Sequence, residues 1–244
     1  MTAPRRHSTA TLHATALLAP MLALPALLAA CAGGGGSSAG AAPPPPPAPA
    51  SRGAHATPDA AQASALVPPG YGTLRQDDIA VQLRLTGVLV KAMPLDEGVI
   101  RLLSPDSYRA LRDLQESRRA QVTALARRFG LQQVRLWYVS YYGLAPEARF
   151  SPNELSLTSA GRDFRPLDVL PVTAGFGENR LRQRETQTAL YLFDGALDVS
   201  QPLTVRVESV SDPDAWSMAL RRIERERALV RSRAAASAAA PARP

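Results

Sequence analysis

Cys31 is the only cysteine of the 244-residue chain, and its three histidines, His7, His13 and His55, all precede residue 70. The remainder of the chain therefore lacks the side chains for Ser-His-Asp or Cys-His nucleophiles, for ordinary zinc sites and for disulfides. Chemistry there is left to Asp, Glu, Arg, Tyr, Ser and one lysine, Lys91. Arg180, Arg182 and Arg184 recur with a spacing of two. On a strand they share one face, where guanidinium forks grip a carboxylate or a phosphate. The plainer reading is a solvated edge strand, kept from aggregating by its charge. Glycan hydrolysis by two carboxylates has candidates in Asp77, Asp78, Asp96, Glu97, Glu154, Asp163, Asp168 and Glu185. None of these sits in a motif, and scattered acids more often cap turns. No Asp-x-Asp-x-Asp loop offers a calcium site, and Gly33–Gly36 has neither the Gly-Lys-Ser/Thr nor the preceding strand of a phosphate loop. The expectation is a chain without catalytic activity, metal or cofactor.

The surroundings of Cys31 say more. Arg5 and Arg6 open a positively charged start, Ala14 to Leu28 form an apolar centre, and Ala29 and Ala30 supply small residues next to a cut site. This is the order of an export signal over residues 1–30. A membrane span needs about 20 predominantly apolar residues, and Pro20 and Pro25 interrupt this one. The run Leu28-Ala29-Ala30-Cys31 resembles the lipobox of bacterial lipoproteins. That resemblance implies cleavage before Cys31, a diacylglyceryl thioether on its sulfur and an acylated new amino terminus. Several chains together give stable membrane attachment where one holds marginally. The alternative is an ordinary cleaved signal with an unpaired thiol, a liability in an oxidising compartment. In the lipoproteins it resembles, Asp after the cysteine favours the inner membrane. Ala32 leans towards the outer membrane, facing the periplasm.

Residues 31–69 are dominated by Gly, Ala, Ser and Pro, with a flexible Gly33–Ser38 and a stiff Pro43–Pro47. Such a segment has too little apolar surface to offset its ordering entropy, so a disordered tether is expected. The formal charge of +7 rests almost wholly on arginine. An excess of that size on an exported chain does not argue for nucleic acid.

One domain is expected over residues 70–233, with a loose Ala/Pro-rich tail over 234–244. Ile79, Val81, Leu83 and Leu85 alternate with Ala80, Gln82, Arg84 and Thr86, the period of a half-buried strand, which continues through Val88–Val90. Asp96-Glu97-Gly98 turns the chain. Ser104-Pro105-Asp106 starts a helix that Gly130 ends. Its apolar stripe is Tyr108, Leu111, Leu114, Val122, Leu125 and Phe129, and five arginines between Arg112 and Arg128 take most of the rest. Val134–Tyr142 reads as a strand with Trp137 in the core and its tyrosines along the sandwich edge. Further strands are expected from Phe150 to Thr158, from Asp168 to Val172, from Thr186 to Phe193 and from Leu203 to Val210, with residues 174–183 as a loop. A last helix starts at Pro213, capped by Asp212, and carries Trp216, Leu220, Ile223 and Val230. Short strands punctuated by turns predict a mainly β, immunoglobulin-like antiparallel β-sandwich with one inserted and one C-terminal helix.

The segment from Val134 to Val207 is similar to the telokin-like, immunoglobulin-fold domains of bacterial lipoproteins. The similarity runs through Phe150-Ser-Pro-Asn-Glu-Leu-Ser-Leu157, Ser159-Ala-Gly-Arg-Asp-Phe-Arg-Pro166, Thr188-Ala-Leu-Tyr-Leu-Phe-Asp194 and Leu203–Val207. That family supplies no catalytic residue. The functional expectation is a lipid-anchored binding or scaffold module of the cell envelope. It would be held to the membrane through Cys31, with an envelope protein or an anionic envelope polymer as partner. An assembly lipoprotein of a secretion or envelope machine is the alternative.

Overall fold

The computed structural model describes residues 66–239. Eleven strands in antiparallel sheets and a few helices make up this part, so the chain is mainly β. In chain order they are α1 (Gln76–Ile79), β1 (Val81–Leu85), β2 (Val88–Pro94), α2 (Glu97–Ile100) and α3 (Pro105–Arg128). Next come β3 (Val134–Gly143), β4 (Ala148–Arg149), β5 (Leu155–Ser159), β6 (Arg162–Phe164), β7 (Asp168–Pro171) and β8 (Arg180–Leu181). The series ends with β9 (Thr186–Asp194), β10 (Leu203–Val207), β11 (Val210–Asp212) and α4 (Ala215–Ala239). Short 3₁₀ turns fill Pro152–Glu154 and Ala174–Glu178.

One sheet has the order β1-β2-β3-β9-β7, the second β11-β10-β5-β6, and β4 with β8 forms a small ribbon. The alternation read from the sequence sets the register. Trp137, Val139 and Tyr141 of β3 are buried, and they stand opposite Tyr191, Ala189 and Gln187 of β9. Val81, Leu83 and Leu85 continue that face through Ala92, Val90 and Val88. Leu155, Leu157, Leu203, Val205 and Val207 supply the inner face of the second sheet, and all belong to one core. Ala160 and Gly161, both at positive φ, make the tight turn that joins β5 to β6, as hairpin twist demands.

α4 lies against β1, β10 and α1. Its buried residues Trp216, Ala219, Ile223, Glu226 and Val230 follow spacings of three and four. The Trp216 ring packs on Trp137 with centroids 5.7 Å apart, and its indole N–H donates to the carbonyls of Val199 and Gln201.

Several expectations need correction. Ile79 closes the single turn α1 instead of opening β1. Asp96-Glu97-Gly98 begins a helical turn, because the Asp96 carboxylate accepts the Gly98 N–H at 2.9 Å. Pro152 replaces the first half of the expected strand at Phe150 by a 3₁₀ turn, a conformation its fixed φ suits. The expected loop 174–183 contains a 3₁₀ turn and β8. Tyr141 is not at an edge: it is fully buried, stacked on Phe150 at 4.3 Å, with its hydroxyl 2.7 Å from that of Tyr191. Asp212 caps α4 through the N–H groups of Asp214 and Ala215, which places the helix start after Pro213. α4 also continues beyond Arg233, since its alanine run carries the highest helix propensity. α3 ends before Gly130 at φ +66, as expected, but of its apolar stripe only Leu111 is buried and Phe129 is 39% exposed.

Candidate functional site

Cys31, the expected lipidation site, lies outside the described residues, as do the tether and the signal. The arginine triplet is described, and the premise that its members share a strand face does not hold. β8 ends at Leu181, so only Arg180 is on a strand. Arg180 is bound by the carboxylate of Glu147. Arg182 lies past the strand end, where its backbone N–H donates to Glu185. Arg184 sits in the turn at φ +66 with its N–H on the Gly143 carbonyl at 2.8 Å. The turn lies so close to β3 that a Cβ on Gly143 would stand 2.2 Å from the Arg182 carbonyl oxygen. The crevice beside it, about 360 Å³, is lined by Arg180 and Arg182 but also by Glu147, Glu178 and Glu185. Glu185 is held below the usual carboxylate range by the Gln187 amide and then by the Arg182 N–H. Three acids face two arginines there, and both arginines are already engaged with them, so the crevice is not a basic grip.

The larger cavity, about 680 Å³, opens where β3 begins and the described chain starts. Five segments build it: Leu66-Val67, Pro94–Gly98, the strand start Val134–Leu136, the loop Asp198–Ser200, and α4 at Arg227 and Arg231. Gln115 of α3 joins them and donates to the Leu95 carbonyl at 2.8 Å. The β2–α2 corner is fixed to β3 by the Leu95 N–H on the Leu136 carbonyl. The capping carboxylate Asp96 accepts Arg135 Nη1 at 3.1 Å. Glu97 is gripped by Arg101 at 2.8 Å and by Arg112 at 2.6 Å. Arg112 is in turn held more firmly protonated, above all by the charge of Glu97. Asp198 accepts both the N–H and the hydroxyl of Ser200, and these bonds, with Arg135 nearby, keep its carboxyl below the usual range. An acid held ionised in this way suits binding and not proton donation. Arg135 keeps one buried donor, Nε, without an acceptor among the described residues.

Sequence reasoning noted Arg112 only as part of the arginine face of α3 and passed over Arg101, Arg135, Arg227 and Arg231. The signal was present for Arg135, which has the same parity as Trp137 and Val139 and so points to the inner face of the strand. It likewise passed over Glu226, which falls on the apolar stripe of α4 at the spacing of Ile223 and Val230. Among the described residues no group of Asp and Glu is arranged to hold a metal ion, and no helix is long and apolar enough to cross a membrane. Compared with family models, with curated proteins and with solved structures, the chain matches none.

Proposed function

We propose that this chain is a lipid-anchored binding or scaffold module of the cell envelope, acting without catalysis. The observation that carries the reading is the run Leu28-Ala29-Ala30-Cys31 at the end of a signal-like start, followed by a Gly/Ser/Pro tether. The diacylglyceryl thioether would hold the chain at the bilayer, and Ala32 favours the outer membrane. Tens of residues of tether would let the domain reach a partner in the periplasm. In the finer reading the sandwich is immunoglobulin-like and of the telokin-like kind; its two antiparallel sheets with a shared core support that assignment.

The described residues support an anchored domain in one further way. The chain arriving from the tether is clamped at once: Thr73 N–H and Oγ1 both donate to Glu226, and Arg233 donates to the Tyr71 carbonyl. A domain tethered through its start needs its first residues fastened.

The test is fractionation of cells producing the full chain and its Cys31→Ser variant. The wild-type chain is expected in the membrane pellet and the variant in the soluble periplasmic or unprocessed pool. Wild-type protein recovered in the soluble fraction at the level of the variant rules the anchor out.

A further inference from the structure

The large cavity carries an inference about ligand chemistry. Its carboxylates are already engaged: Asp96 by Gly98 and Arg135, Glu97 by Arg101 and Arg112, Asp198 by Ser200. Its cationic capacity is not exhausted. Arg135 Nε is buried without an acceptor among the described residues, and such a donor is unfavourable until something accepts from it. Arg231 lines the cavity from α4 and has no acidic partner among the described residues. Beside these polar groups the wall carries an apolar stretch, with Val67, Leu95 and Val199 buried and Leu66 and Leu136 next to them. The volume lies within the range of small-molecule sites, roughly 300–1,000 Å³.

We propose that this cavity binds a small amphipathic anion, a carboxylate or phosphate monoester whose head is held by Arg135 and Arg231 while its alkyl chain lies along Leu66, Val67, Leu95, Leu136 and Val199. Guanidinium groups favour such heads because the bonds are charge-assisted and can be bidentate. This rests on the reading of the chain as a binding module, and not on the lipidation of Cys31.

The experiment uses the full chain carrying Cys31→Ser, so that no lipid of its own competes. Binding of dodecanoate and dodecyl phosphate, each below its micelle concentration, is measured by titration calorimetry, with dodecyltrimethylammonium as the cationic control. At least one anion is expected to bind, and the cation to bind at least tenfold more weakly. Preference for dodecanoate assigns an acyl source, and preference for dodecyl phosphate a headgroup-like source. Arg231→Gln, an exposed change that breaks no bond among the described residues, is expected to weaken the anion about tenfold, the loss of one charge-assisted hydrogen bond. Arg231→Glu is expected to abolish binding. Equal binding of cation and anion, or affinity unchanged in both Arg231 variants, overturns the proposal. Neither result bears on membrane anchoring, which the fractionation reads with the thiol in place.

Discussion

Glu226 is 5% exposed on the core stripe of α4, and its Oε1 takes three hydrogen bonds. It accepts Thr73 N–H and Oγ1 at 2.9 Å each and Arg233 Nη1 at 2.7 Å. Burial alone pushes its carboxyl up, but the bonds from Arg233 and Thr73 outweigh burial and hold it below the usual range. A carboxyl depressed in the folded state stabilises the fold at pH above its unfolded value of about 4.3. That contribution is lost as pH falls through the lower folded value. Glu226→Gln is therefore expected to cost about 1–3 kcal/mol at pH 7, because it leaves partners of the clamp unpaired. Urea midpoints read at pH 7 and again near pH 3 should show the gap between wild type and variant shrinking in acid. A gap of the same size at both pH values would remove the clamp from the account. The buried Tyr141–Tyr191 pair behaves in the opposite sense. Burial raises both hydroxyls, so they stay protonated and the Tyr191 hydroxyl donates to the Pro152 carbonyl at 3.0 Å. That contribution is present below the ordinary tyrosine value and lost only as pH rises beyond it.

At the level of elements, the end of β3 and the turn after β8 are joined by two backbone bonds. Gly143 N–H donates to the Glu185 carbonyl at 2.9 Å, and Arg184 N–H donates to the Gly143 carbonyl. No side chain fits between them. Gly143→Ala is expected to part these segments and to destabilise the domain by about 1–3 kcal/mol, the usual cost of overpacking. Its signature would be faster amide exchange at Gly143 and Arg184 than in the wild-type chain, with β10 unchanged; unaltered exchange at both amides would refute the close approach. Elements with a strong local period were legible in the sequence. The alternation of β1, the burial of Trp137 and the limits of α3 between Ser104 and Gly130 follow from side-chain spacing and terminal signals alone. Burial of α3 was not legible, because a 3.6-residue stripe shows which face is apolar and not whether anything covers it. Phe129 satisfies the stripe and is exposed. The arginine triplet misled for a related reason: a spacing of two implies a shared face only where a strand continues, and Arg184 is in a turn.

For the whole molecule, pairing of β3 with β9 and assembly of the large cavity from distant segments depend on long-range register, which no local pattern carries. Parity offered a partial clue. An arginine at an inward position of β3 stands where the core opens, and it stands opposite Phe193. The two ends of the described domain are locked together through Thr73, Glu226 and Arg233. The account as a whole requires the chain to begin, in the cell, at a sulfur that carries lipid. Mass spectrometry of the protein purified from membranes reads this directly. The predicted result is an amino-terminal peptide starting at Cys31 with the added mass of a diacylglyceryl group on its sulfur. A first residue other than Cys31, or a peptide with an unmodified thiol, would contradict it.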